Sequence, residues 1–180
     1  MKTLLLGVAA ATLLHITPTV VLVKREAAVA KLLPGADQFV ARELHLSSAD
    51  SKRIHDAVGW EPADGIVTMY LGKKNGQVTG VLQFMRVDCQ HGPIELAIGY
   101  DGRGAVRAVE VTKATVEMKP WIVEAINAGL LNEYRGMANT QEPGAATKVK
   151  PQVGAMPGYM AELIDKGVMH ANAAYRLFYK

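Results

Sequence analysis

The side chains able to do chemistry are few and scattered. Cys89 is the sole cysteine, so it cannot close an internal disulfide, and no CxxC or CxxCH pattern occurs to hold zinc or covalent haem. It reads as a small apolar residue at a strand end. Of the five histidines, His45, His55, His91 and His170 stand singly. Each has the chemistry of a haem axial ligand, but lone histidines more often lie on the surface or satisfied in a core. His15 is different, because it falls inside the uncharged run from Leu4 to Val23. An ionisable group in such a segment faces protein or cofactor rather than lipid. Either it contacts a partner helix, quinone or pigment, or it is a neutral imidazole satisfied by a backbone carbonyl freed near Pro18. Both readings imply neighbouring helices. No nucleophile lies in a recognisable hydrolase motif.

The uncharged run has twenty residues, bounded by Lys2 on one side and by Lys24 and Arg25 on the other. As a helix it spans roughly 30 Å, the thickness of a bilayer core. A cleaved signal peptide is the rival reading, with Ala9, Ala10 and Ala11 as small residues for cleavage. The apolar stretch continues past them through Val20, Val21, Leu22 and Val23, which favours a retained transmembrane anchor over residues 1–24. Flanking charges on both sides leave its orientation open.

Residues 25–180 suit one folded domain. Twenty basic and seventeen acidic residues give a net charge of +3, and aromatics are only 6% of the chain. A nucleic-acid-binding surface would cluster its basic residues with aromatics among them, so that class is disfavoured. Lys24 to Leu33 reads as a short helix stopped by Pro34 and Gly35, and Ser47 or Ser48 caps a second one that ends at Gly59. Strands follow at Ile66–Leu71 and Gln77–Val87, joined by Asn75-Gly76, a dipeptide suited to a tight hairpin turn. Ile94, Leu96, Ile98 and Tyr100 alternate with Glu95, Ala97 and Gly99, the pattern of a half-buried strand. A fourth strand covers Ala105 to Val111. The expected fold class is α/β in the broad sense, more narrowly α+β: an antiparallel meander packed by helices. Pro120 opens a helix running to about Leu131. Asn132 to Gly158 reads as a long loop, and Met160 to Phe178 as a core helix.

Several fragments, in order, resemble the FMN-binding domain family, which includes flavin subunits of the sodium-pumping NADH:quinone reductase and Rnf complexes and the flavin domain of NosR-type regulators. They are Asn75-Gly76-Gln77-Val78-Thr79-Gly80, then Gly92 through Asp101, then Gly104 through Val111. Lys24 through Ala28 and Leu33 through Asp37 resemble the family's lead-in. The resemblance implies a membrane-anchored subunit of an electron-transport complex, in the cell inner membrane with its soluble domain in the periplasm. Its partners would be quinone- or cytochrome-linked redox subunits.

The same resemblance implies FMN esterified through its phosphate to the threonine of an S/T-G-A-T motif at the start of the last helix. There, free backbone N–H groups and the helix dipole favour an anion. Aligned on the apolar positions of that helix, Met160, Ala161, Glu162 and Leu163 fall over the family's Gly-Ala-Thr-Leu, and Glu162 stands where the threonine should be. A carboxylate offers no hydroxyl for the ester and repels phosphate. Thr147, in Gly144-Ala145-Ala146-Thr147, lies upstream of the aligned position. The family's ring-lining ETPG segment is replaced by Ala114-Thr115-Val116-Glu117. Covalent attachment is therefore not expected, leaving noncovalent FMN or no flavin. Lys166, and Lys148 or Lys150, are the cations near a phosphate in the first case, with Thr115 and Glu117 beside the ring. In the second case the domain is a structural or assembly subunit packed against a larger membrane complex.

Overall fold

The computed structural model describes residues 17–179. Six strands form one antiparallel sheet: β1 (Thr19–Val21), β2 (Gln38–His45), β3 (Ile66–Lys74), β4 (Gln77–Cys89), β5 (Gly92–Asp101) and β6 (Val106–Thr115). Their order across the sheet is β1-β6-β5-β4-β3-β2. The expected α+β meander forms the central four strands, β3 to β6. Asn75 and Gly76 both take positive φ, 51° and 79°, as a tight hairpin turn requires.

The two edge strands were not foreseen, and β1 corrects the anchor's boundary. Thr19–Val21 pairs with Lys113–Thr115 of β6, and the Leu22 amide donates to the Thr112 carbonyl. The uncharged run therefore does not continue as helix to Val23, because β6 supplies backbone partners for its end. Residues 1–16, with most of the expected anchor and His15, lie outside the described residues. Among the described residues, no helix is long and apolar enough to cross a membrane.

Helix α1 (Arg25–Leu32) lies on one face of the sheet, burying Ala28, Leu32 and Leu33 against Leu82 and Ala97. The other face carries α2 (Ser48–Val58), α3 (Lys119–Asn127), α4 (Ala145–Val149) and the long α5 (Ala155–Phe178), which crosses β4 and β5. Helix α2 begins and ends as its sequence implies. Ser47 accepts a hydrogen bond from the Asp50 amide, and Gly59 takes the left-handed conformation that closes the last turn. The stretch expected as a long loop instead holds a 3₁₀ turn at Leu130–Tyr134, α4, a second 3₁₀ turn at Lys150–Gln152 and the first residues of α5. Its Tyr134, Ala145, Ala146 and Val149 are buried, and that apolar anchoring orders a segment its Gly and Pro content had marked as irregular.

Strand β5 is covered on both sides rather than half-buried. Ile94, Leu96, Ile98 and Tyr100 enter the core beneath α5, while Ala97 and Gly99 are buried beneath α1. Both helices approach closely because a side chain is missing. A Cβ on Gly167 of α5 would stand 2.4 Å from Leu96 Cδ1 and 2.8 Å from Val87 Cγ2; one on Gly99 would stand 2.8 Å from Leu32 Cβ. Alanine at 167 gains helix propensity of at most about 1 kcal/mol. It must also push two buried side chains aside, at roughly 1–3 kcal/mol. Gly167→Ala is expected to lower stability by about 1–2 kcal/mol in a denaturant melt; unchanged or higher stability would mean that α5 sits farther from the sheet.

Candidate functional site

The residues aligned with the flavin-attachment motif lie inside α5, not at its start. The helix begins at Ala155 with Gly154 as its N-cap, which makes Glu162 its eighth residue. Ala161 and Leu163 are buried in the core, and only Glu162 faces outward. Its carboxylate is ion-paired with Lys150 Nζ, at side-chain exposures of 49% and 51%. The Lys150 stem runs across the first turn of α5, its Cγ only 3.1 Å from where a Gly158 Cβ would be. Glu124 Oε1 accepts from the Gly154 amide at 3.3 Å, so an acidic side chain already lies at the helix start.

Glu162 and Lys150 line a recess of about 320 Å³ together with Thr147 and Asp165. Asp165 accepts from the Tyr134 hydroxyl at 2.7 Å and from the Ala146 amide at 3.0 Å. Burial raises the Asp165 pKa, against the lowering effect of those hydrogen bonds, and the charge of Glu162 adds to the rise. The buried start of α4, Ala145 and Ala146 just before Thr147, thus has an internal carboxylate at its amides. The recess holds two acids and one committed lysine. A phosphate there would meet net repulsion, and the position aligned with the attachment threonine has no hydroxyl. The residues present do not fit a phosphate-esterified FMN.

The other expected site residues are not gathered into this recess. Thr115 is fully buried at the end of β6, where its hydroxyl accepts from the Met118 amide at 3.4 Å. Glu117 pairs with His91 Nδ1 at 3.3 Å, and the His91 ring meets Trp121 edge-on with centroids 5.4 Å apart. Lys166 is exposed and lies outside the lining of the recess. Sequence reasoning put Thr115 and Glu117 beside one cofactor, but the structure makes the first a packing residue and gives the second a histidine partner.

Sequence reasoning missed a group of buried polar residues on the core face. His170 is 2% exposed and stacks on Trp60 with centroids 5.0 Å apart; neither ring nitrogen has a hydrogen-bond partner among the described residues. Asn172 accepts from the Tyr100 hydroxyl at 3.0 Å but leaves its Nδ2 unpaired. Gln83, between Val81 and Met85 on the inward face of β4, is 4% exposed with Oε1 unpaired. Its signal was present in the sequence: an amide interrupting a period-two apolar pattern.

No protein-family model matches the chain, and no curated protein matches it either.

Three outcomes check these environments. Glu162→Ala removes an exposed ion pair and is expected to change stability by less than about 1 kcal/mol in a denaturant melt. Tyr134→Phe deprives Asp165 of a buried donor and is expected to cost about 1–2 kcal/mol in the same assay. Burial, with help from Lys166, pushes the His170 imidazole down to about 4. Its unfolded value is about 6.5, so between these values the unfolded chain binds the extra proton. The stabilisation from keeping His170 neutral is therefore complete above pH 6.5 and is lost as pH falls toward 4, by roughly 3 kcal/mol. His170→Phe, which keeps a ring against Trp60, should flatten that slope in chemical melts across this window; an unchanged slope would assign it to other groups.

Proposed function

We propose that this chain is an FMN-binding-domain-like subunit of a membrane electron-transport complex that carries no covalent flavin and acts by packing against its redox partners. The single observation behind the missing flavin is Glu162. In the resemblance-based alignment it replaces the attachment threonine, and here it is held by Lys150 within a helix and beside a second carboxylate, Asp165. Support for the fold side of the reading is the antiparallel meander with its Asn75-Gly76 hairpin, which is the part of the chain that resembles the family. The membrane side rests on the uncharged run ahead of β1, which serves as the tether, with the domain on the periplasmic side of the inner membrane. Quinone- or cytochrome-linked subunits remain the partner class, and His15 is the tether's contact with them.

The deciding experiment is a visible absorption spectrum of the full chain, purified in mild detergent from cells able to attach flavin, before and after denaturation and filtration. No flavin bands are expected in either fraction. Flavin retained by the denatured protein would overturn the reading of Glu162. Flavin released into the filtrate would replace the flavin-free subunit with one that holds FMN noncovalently.

A further inference from the structure

The uncharged run enters the domain at one corner. Pro18 is the first of the described residues hydrogen-bonded to the fold, its carbonyl accepting from the Val116 amide at 2.9 Å. Val21 follows within β1, opposite Lys113 of β6. No slack chain therefore separates the run from the corner where β6 turns into α3.

The pairing of β1 also shortens what remains for a membrane. From Leu4 to Pro18 the run has fifteen residues, against the twenty that reach Val23. As a helix, fifteen residues cover about 22 Å. The hydrocarbon core of a bilayer is about 30 Å thick. Such a shortfall is met by thinning the bilayer or by drawing the attached domain into its surface. The second route requires exposed apolar side chains where the run meets the fold.

The corner has them. Val116 is 53% exposed, Val123 39% and Val21 55%, three of the seven large apolar side chains exposed among the described residues. Pro120 is exposed as well, and Trp121 is half-buried with its ring against His91. A half-buried indole suits the headgroup level of a membrane. Lys24, Lys113 and Lys119 are exposed and have no ion-pair partner among the described residues, so their stems are free to lie along apolar surface with the ammonium groups in water. Glu26, Glu117 and Glu124 offset these charges, with Glu117 facing His91 and Glu124 the Gly154 amide. Charge is balanced here, and the apolar side chains decide the partner.

We infer that the β6–α3 corner, together with the exposed side of β1, is a lipid-contacting surface that sits in the headgroup layer and makes up for the short span of the tether. The inference deepens the tether reading and rests on it. Lipid is the occupant because the uncharged run ends one hydrogen bond away from Val116.

Val78 supplies the internal control. It is 43% exposed at the start of β4, whereas the other end of β4 leads into the turn whose His91 touches Trp121. Full chains carrying Val116→Cys, Val123→Cys or Val78→Cys are labelled with a thiol-reactive fluorophore and reconstituted into phosphatidylcholine–phosphatidylglycerol vesicles. The vesicles contain lipid with a nitroxide quencher near the headgroup. All three positions are exposed, so the labels leave the core alone, and the unsubstituted chain, with only half-buried Cys89, gives the background. Quenching is expected to be severalfold stronger at 116 and 123 than at 78. It should increase when the lipid chains are lengthened from fourteen to twenty carbons, because the mismatch grows. A chain that floats with the vesicles but is quenched equally at all three positions overturns the lipid-contacting corner and leaves the tether standing. Quenching that ignores bilayer thickness overturns the compensation for a short span. A chain that fails to float overturns the tether and this surface with it.

Discussion

The fold depends on how closely two helices approach the central strand β5. Helix α5 lies on it through Gly167, above Leu96 and Val87, while α1 lies on the opposite face above Gly99. Close approach at both points lets a sheet built mainly from short hairpins bury both of its faces. It also fixes the rotation of α5 about its axis. With Gly167 against the sheet, Met160, Ile164, Val168 and Ala171 point into the core, and Glu162 and Lys166 are turned outward. The exposure of Glu162 thus follows from the packing of α5, and so does its availability to Lys150.

This dependence separates what the sequence revealed from what it concealed. Local signals were legible. The Ser47 cap, the Gly59 terminator, the Asn75-Gly76 turn and the alternation along β5 each encode a short-range geometry that a few residues determine. Signals that depend on distant partners were not. Thr19–Val21 is apolar and β-branched, suiting an anchor or a strand equally, and only β6 decides between them. Gln38–His45 is exposed along most of its length, so its assignment rests on pairing with β3 rather than on any buried face. The same limit applied to Asn132–Gly158, whose helical turns are held by contacts with α5 and with each other. At the candidate site, the sequence marked Glu162 as a carboxylate without a hydroxyl's chemistry. It could not supply Asp165, which reaches the same recess only because α4 and α5 pack together.

Electrostatics divide the molecule into satisfied and unsatisfied regions. Exposed and half-buried acids are mostly committed: Glu95 to Arg25, Glu110 to Lys31, Glu133 to Lys148 and Glu162 to Lys150. Glu95 shows the balance at work. Burial opposes its ionisation, but the Arg25 guanidinium and the Thr112 hydroxyl more than offset this and hold its carboxyl below the usual range. Asp101 behaves alike, with burial outweighed by the amides of Arg103 and Ala105 that close the β5–β6 turn. These pairs close turns and pin α1 to the sheet, so their partners are already used in holding the fold together.

The unsatisfied atoms are distributed differently. Gln83, His170 and Asn172 lie on the core face of the sheet, where α5 passes over β4 and β5, and Arg107 Nε of β6 is a further buried atom without a partner, near Thr79 and Gly80. None belongs to the recess at Glu162, whose carboxylates both have partners. The position aligned with flavin attachment is ion-paired within the chain, and the buried polar atoms without partners lie elsewhere. Buried polar atoms without partners lower stability, so the core face beneath α5 gives up part of what the close approach of Gly167 to Leu96 contributes.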